Sequence, residues 1–95
     1  MVDPLREYPD TGLPFSHWCH MASDASFEEL HEFAAALGIR GRGFDRDHYD
    51  LPPHARVRAV AAGAEEVTTR ELIARMAGPR GERARRRAAG STRSP

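Results

Sequence analysis

Apolar residues recur at helical spacing most clearly in the stretch 26–38, "SFEELHEFAAALG". Phe27, Leu30, Ala34 and Leu37 share one face, Phe33 widens it, and Glu28, Glu32 and Ala35 lie opposite. His31 falls on the border of the apolar face. Ser26 followed by Glu29 is a capping-box pair, and Gly38 is placed to end the helix. Upstream, residues 17–22, "HWCHMA", read as a buried strand with Trp18, His20 and Ala22 on one face and His17, Cys19 and Met21 on the other.

Downstream, "GIRGRGFDR" at 38–46 is a glycine-rich connection, and residues 47–51 should be extended because the residue before a proline avoids helical geometry. Pro52 and Pro53 suit the cap and first turn of a second helix. That helix should run to Ala62, turn Val57, Val60 and Ala61 inward, and end at Gly63. Residues 65–67 suggest a short third strand. Thr68 and Glu71 repeat the capping pattern and open a helix through Met76, with Leu72, Ile73 and Met76 facing the core. Residues 79–95 follow a Gly78-Pro79 stop, lack apolar anchors, and are expected to be a disordered basic tail. Residues 1–16, broken by Pro4, Pro9, Gly12 and Pro14, form an irregular segment with at most a short strand near residues 2–5.

Strand and helix thus alternate along residues 17–78. The expectation is one small α/β domain, with a short, mostly parallel sheet of about three strands packed with three helices. A 95-residue chain makes a thin core, for which a homodimer contact or a bound ion would be useful support. The single cysteine, Cys19, excludes an internal disulfide framework. No apolar run approaches a membrane span and no signal-peptide pattern opens the chain, so a cytoplasmic location and no membrane partner are expected.

The balanced charge conceals a split. Residues 80–95 hold six arginines against one acid, Glu82, and are +5; residues 1–79 hold eight arginines against thirteen acids and are −5. The tail could contact nucleic-acid phosphates weakly, but no aromatic residue interleaves it to stack on bases.

Candidate chemistry concentrates in "FDRDHYDLPP", residues 44–53. In an extended segment His48 and Asp50 point the same way, and a carboxylate beside an imidazole fixes its tautomer for general-base or metal-ligand work. Asp50 is equally suited to cap the helix that begins at the prolines. His20, Asp24 and His31 lie along and after the first long strand, where ligands of parallel α/β sheets bind. With His48 and Asp50 they offer ligand types suited to a divalent ion: zinc, manganese or iron. Their spacing matches no established metal motif, and a strand histidine is often a satisfied core residue. His48, Asp50 and His20 are the candidate catalytic groups. Arg40 and Arg42 in the glycine-rich connection, and Arg70 at a helix start, could grip an anion. Cys19 reads as a buried hydrophobe rather than a nucleophile.

"HWCHMASD" (17–24), "ELHEFAAALGI" (29–39), "DHYDLP" (47–52) and "RAVAAGAEEVTTREL" (58–72) together resemble a bacterial and phage family called domain of unknown function 4031. The resemblance spans residues 17–76. The family pattern begins with a strand ending in one or two acids, whose counterpart here is Val2, Asp3 and Pro4. It implies no chemistry, but supports grouping His20, Asp24, His31, His48, Asp50 and Arg70. Two readings follow. One is a small metal-dependent or acid/base hydrolase-like enzyme with a His/Asp pocket. The other is a non-catalytic accessory module that binds an anionic ligand, a nucleic acid or a protein partner.

Overall fold

A computed structural model describes residues 1–7 and 17–91. The element order is β1 (Arg6–Glu7), β2 (His17–Met21), α1 (Phe27–Ala36), a 3₁₀ turn (Gly41–Gly43), β3 (Phe44–Asp45), β4 (His48–Leu51), α2 (Pro53–Ala61), α3 (Thr69–Arg75) and α4 (Pro79–Ser91). The N-terminal segment 8–16 and the last tail residues 92–95 lie outside the described residues.

The sheet corrects the expected topology. Its strands run in the order β1-β2-β4-β3, and every pair is antiparallel. The physical reason lies in the glycine-rich connection. It folds into a hairpin in which Asp45 pairs with His48 across Arg46 and Asp47, and this sends β4 back against β2. Residues 65–67, expected as a third strand, supply only an isolated parallel bridge between Val2 and Glu66. Val2 is stitched to this segment through both of its backbone groups. Its N–H donates to the Glu65 carbonyl at 2.9 Å, and its own carbonyl accepts from Val67 N–H at 2.9 Å.

Strand parity separates two faces. Cys19 and Met21 of β2 and Tyr49 and Leu51 of β4 join Leu30, Ala34 and Leu37 of the α1 segment and Ala55 and Ala59 of α2 in the main core. A smaller cluster of Ala22, Val67, Leu72 and Met76 lies under α3. The opposite parity carries His20, His48 and Asp50, and a small cavity on that side is bounded by His20, His48, Leu72, Ile73 and Arg80.

The helix starts follow the sequence signals. Ser26 accepts the Glu29 N–H at 3.0 Å, and Thr68 accepts the Glu71 N–H at 3.0 Å. Pro52 caps α2 and Pro53 opens it. The inward face of α2 differs from expectation. Val57 is 68% exposed and Ala61 is exposed, while Ala55 and Ala59 are buried. Alanine at i and i+4 brings the helix backbone close to β2 and β4, and that phase turns Val57 outward.

The basic tail is also corrected: residues 79–91 form α4 rather than lacking structure. Its anchors are backbone proximity and hydrogen bonds instead of large apolar side chains. A Cβ on Gly81 would lie 1.9 Å from the Met76 carbonyl oxygen, so α4 passes where a larger residue cannot. Arg85 donates to the carbonyls of Ala74 (3.1 Å) and Met76 (3.0 Å), satisfying the frayed end of α3. Gly78, at φ +101°, makes the preceding turn against the Phe27 ring. Among the described residues, no helix is long and apolar enough to cross a membrane.

Candidate functional site

β2 and β4 place His20 directly opposite Asp50, and His48 lies two residues back on the same face. One ligand atom from each of His20, His48 and Asp50 lies within 4.8 Å of the others. His48 Nε2 is 3.3 Å from Asp50 Oδ1, and His20 Nε2 is 4.0 Å from the same oxygen. The imidazole rings meet edge to face with centroids 5.1 Å apart. An adjoining cavity of about 30 Å³, lined by His20, His48, Thr69 and Arg80 but not by Asp50, has room for one water.

Each histidine is held from behind by a buried carboxylate. Asp3 is fully buried; its Oδ2 lies 2.8 Å from His20 Nδ1, and its Oδ1 accepts the His20 backbone N–H at 2.6 Å. Thr69 donates its hydroxyl to Asp3 Oδ2 at 2.7 Å. Burial pushes the Asp3 carboxyl up, but the bonds from His20 and Thr69 outweigh it and hold the group below its ordinary value. Asp47 repeats the arrangement. Its Oδ1 lies 2.8 Å from His48 Nδ1, and Arg80 grips both its oxygens at 2.8 and 3.1 Å. Burial again opposes ionisation, while His48 and Arg80 prevail and lower the Asp47 value. His48 is raised, first by Asp50, against burial, with Asp47 adding to the effect.

These contacts assign the tautomers. An ionised carboxylate only accepts, so Asp3 places the ring proton on Nδ1 of His20, and Asp47 at 2.8 Å does the same for His48 against the longer 3.3 Å approach of the donor Arg80 Nη2 to that nitrogen. In a neutral imidazole that leaves both Nε2 lone pairs facing the Asp50 carboxylate. Three acceptor atoms then converge with no donor between them. A proton on Nε2 relieves this, and so does a cation. Tetrahedral coordination with bonds of about 2.0–2.1 Å puts ligand atoms about 3.3 Å apart. The His48–Asp50 edge already has that length, and the wider edges must close by roughly 0.7–1.5 Å.

The remaining sequence candidates lie elsewhere. Asp24 pairs with Arg75 at 3.0 Å, in a surface cluster with Glu65 and Glu71. His31 hydrogen-bonds Tyr49 Oη at 2.7 Å, on the α1 side of the sheet. Arg70 lines an open groove between α3 and α4. Arg40 and Arg42 are exposed around the 3₁₀ turn, away from the cluster. Asp50 does not cap α2, whose cap residue Pro52 has no side-chain hydrogen bond. Cys19 is buried, and its thiol is pushed up to about 12, chiefly by that burial.

Four contributing residues were not among the sequence candidates. Asp47 adjoins His48, and its signal was proximity alone. Asp3 had one signal, the acid expected at the end of the family's first strand. Thr69 and Arg80 had none, since their roles depend on where α3 and α4 dock.

Neither the curated proteins nor the solved structures contain a match to this chain. Residues 1–78 match the model of a protein family of unknown function, DUF4031, and the chain belongs to that family.

Proposed function

We propose that His20, His48 and Asp50 bind a divalent cation at the centre of a small hydrolase-like site. The observation that supports this best is the paired construction. Two histidines, each fixed at Nδ1 by a buried carboxylate, turn Nε2 toward one shared aspartate. Carboxylates behind ligand histidines orient the ring and raise its basicity, and two histidines with one carboxylate leave coordination positions open. A bound ion would supply Lewis acidity and lower the pKa of a bound water. The chain's own contribution is orientation: Asp3 and Thr69 hold His20, while Asp47 and Arg80 hold His48. Asp50 is 46% exposed, which leaves the cluster open to a ligand from solvent.

The test is the metal content of untagged protein prepared without chelators, beside His48→Ala. One ion per chain, lost in the variant, is expected. No ion, together with no thermal stabilisation by zinc or manganese, refutes the cation site. The 3.3 Å contact between His48 Nε2 and Asp50 then favours a metal-free acid/base pair. Asp50→Asn would test that second reading by abolishing any hydrolytic rate while leaving the fold intact.

A further inference from the structure

A second cavity shares His48 with the cluster. It measures about 480 Å³, within the usual range for small-molecule sites, and three arginines line it: Arg46, Arg80 and Arg83. We infer that this cavity is a phosphate subsite, so that the molecule brought to the His20–His48–Asp50 cluster is a phosphate ester. The inference rests on the cation site proposed above and names its substrate class.

Charge gives the first argument. Asp45 and Asp47 also line the cavity, but Asp47 is already neutralised by the two-pronged contact with Arg80. Arg46 and Arg83 are exposed and form no ion pair with any described residue. Two uncommitted guanidinium groups against one exposed carboxylate leave the cavity net positive, and guanidinium forks suit phosphate oxygens.

Backbone conformation gives the second. Arg46 has φ +62°, and no other non-glycine residue among those described has a positive φ. It occupies the first turn position of the β3–β4 hairpin, where glycine is the undemanding choice. A side chain kept at a disfavoured position is a pointer to use, and this one lines the cavity. The third argument is placement. Phe27 and Pro79 give an apolar wall for the organic part of an ester, while His48 belongs to both cavity and cluster. A phosphate held by the arginines therefore lies against His48 on the Asp47–Arg80 side of its ring; neither His20 nor Asp50 lines the cavity, so the ester must reach past His48 to the cluster. Hydrolysis there would add water oxygen to phosphorus, break the ester P–O bond, and deliver a proton to the leaving alcohol, giving phosphate and alcohol. Arg80 and Arg83 lie beyond the family-matched residues 1–78, on the helix that closes this side of the site.

The experiment is titration of inorganic phosphate into the full chain at constant ionic strength, followed by amide chemical shifts, with acetate as control. Arg46→Gly and Arg83→Ala are compared with wild type, and bound metal is measured on each sample. Saturable phosphate binding is expected in wild type. Each variant should bind about tenfold more weakly, as loss of a charge-assisted hydrogen bond implies, with unchanged metal content. Arg46→Gly should also melt no lower than wild type, which separates lost binding from lost folding. No saturable binding by wild type, or equal binding by both variants, overturns the subsite. If all samples lack metal but the variants still lose phosphate, the subsite stands and the cation site falls.

Discussion

Asp3→Asn is the most discriminating single substitution at the cluster, because it keeps the shape and reverses the chemistry. Asp3 accepts from the His20 backbone N–H (2.6 Å), the His20 ring (2.8 Å) and the Thr69 hydroxyl (2.7 Å), and is fully buried. Asparagine can keep one acceptor, at the backbone N–H. Its amide nitrogen then faces His20 Nδ1 and donates to it. That moves the ring proton to Nε2, the atom that faces Asp50. The lone pair that would bind a cation is lost while the ring stays in place. Loss of charge-assisted bonds costs about 1.5–3 kcal/mol, partly offset because no charge remains buried, so a net loss near 1–2 kcal/mol is expected. Metal affinity should fall by about 10–100-fold, the usual cost of altering a partner behind a ligand histidine. Chelator competition measures the affinity and thermal melting the stability. Thr69→Val is the companion: it removes one hydrogen bond, costs about 1 kcal/mol, and leaves the tautomer unchanged, so affinity should hold within a few-fold. Equal metal affinity in wild type and Asp3→Asn would refute the tautomer assignment.

Further outcomes follow from the packing. Val57→Lys should change stability by no more than about 0.5 kcal/mol in denaturant titration, because Val57 is 68% exposed. Gly81→Ala should cost about 1–3 kcal/mol and raise hydrogen exchange across α4, since the new Cβ would meet the Met76 carbonyl oxygen at 1.9 Å. Cys19 gives a pH signature. Its folded value near 12 exceeds the unfolded one, so the stability it contributes is complete below the unfolded pKa and drains away as pH rises toward the folded value. Between about pH 9 and 11 the wild type should lose up to about 1.4 kcal/mol per pH unit more than Cys19→Ala, as measured by urea titration.

What the sequence made legible was local. The Ser26 and Thr68 side-chain caps, the strand at 17–21 and the proline start of α2 depend on neighbours within four residues and are found in place. The return bonds of the two capping boxes are not, since Glu29 accepts from Ser23 and Glu71 from Arg75. The grouping of His20, His48 and Asp50 was legible because strand parity is local too, once both segments are extended. Strand direction was not. Alternating strands and helices suit a parallel sheet, and only the Arg46–Asp47 turn reverses β4. The α4 helix was illegible for a related reason: its seat is a glycine against a backbone carbonyl, a contact with no hydropathy signature. Asp24 and His31 were grouped with the cluster by their nearness in the chain to β2. Arg75 draws Asp24 away, and His31 sits on the α1 face, across the sheet.

The energetics of this small domain bear on the choice between a site and a structural polar network. Its core is short of large side chains, with alanines at 22, 34, 55 and 59 among the buried residues. In the same fold Asp3, Asp47 and His48 are all buried. Buried charge is a poor source of stability, and well-packed apolar replacements of similar volume are often neutral or stabilising. A domain with little apolar burial to spare has more to gain from such replacements than a large one. The polar groups are also arranged in a directed way. Both carboxylates lie behind imidazoles, and both imidazoles turn toward the half-exposed Asp50 rather than toward each other's partners. A network that served only to satisfy buried atoms would have no need to end in three acceptors at a solvent-accessible edge. That asymmetry, with buried carboxylates behind the rings and an exposed aspartate in front, is the physical reason to treat the cluster as a place where something binds.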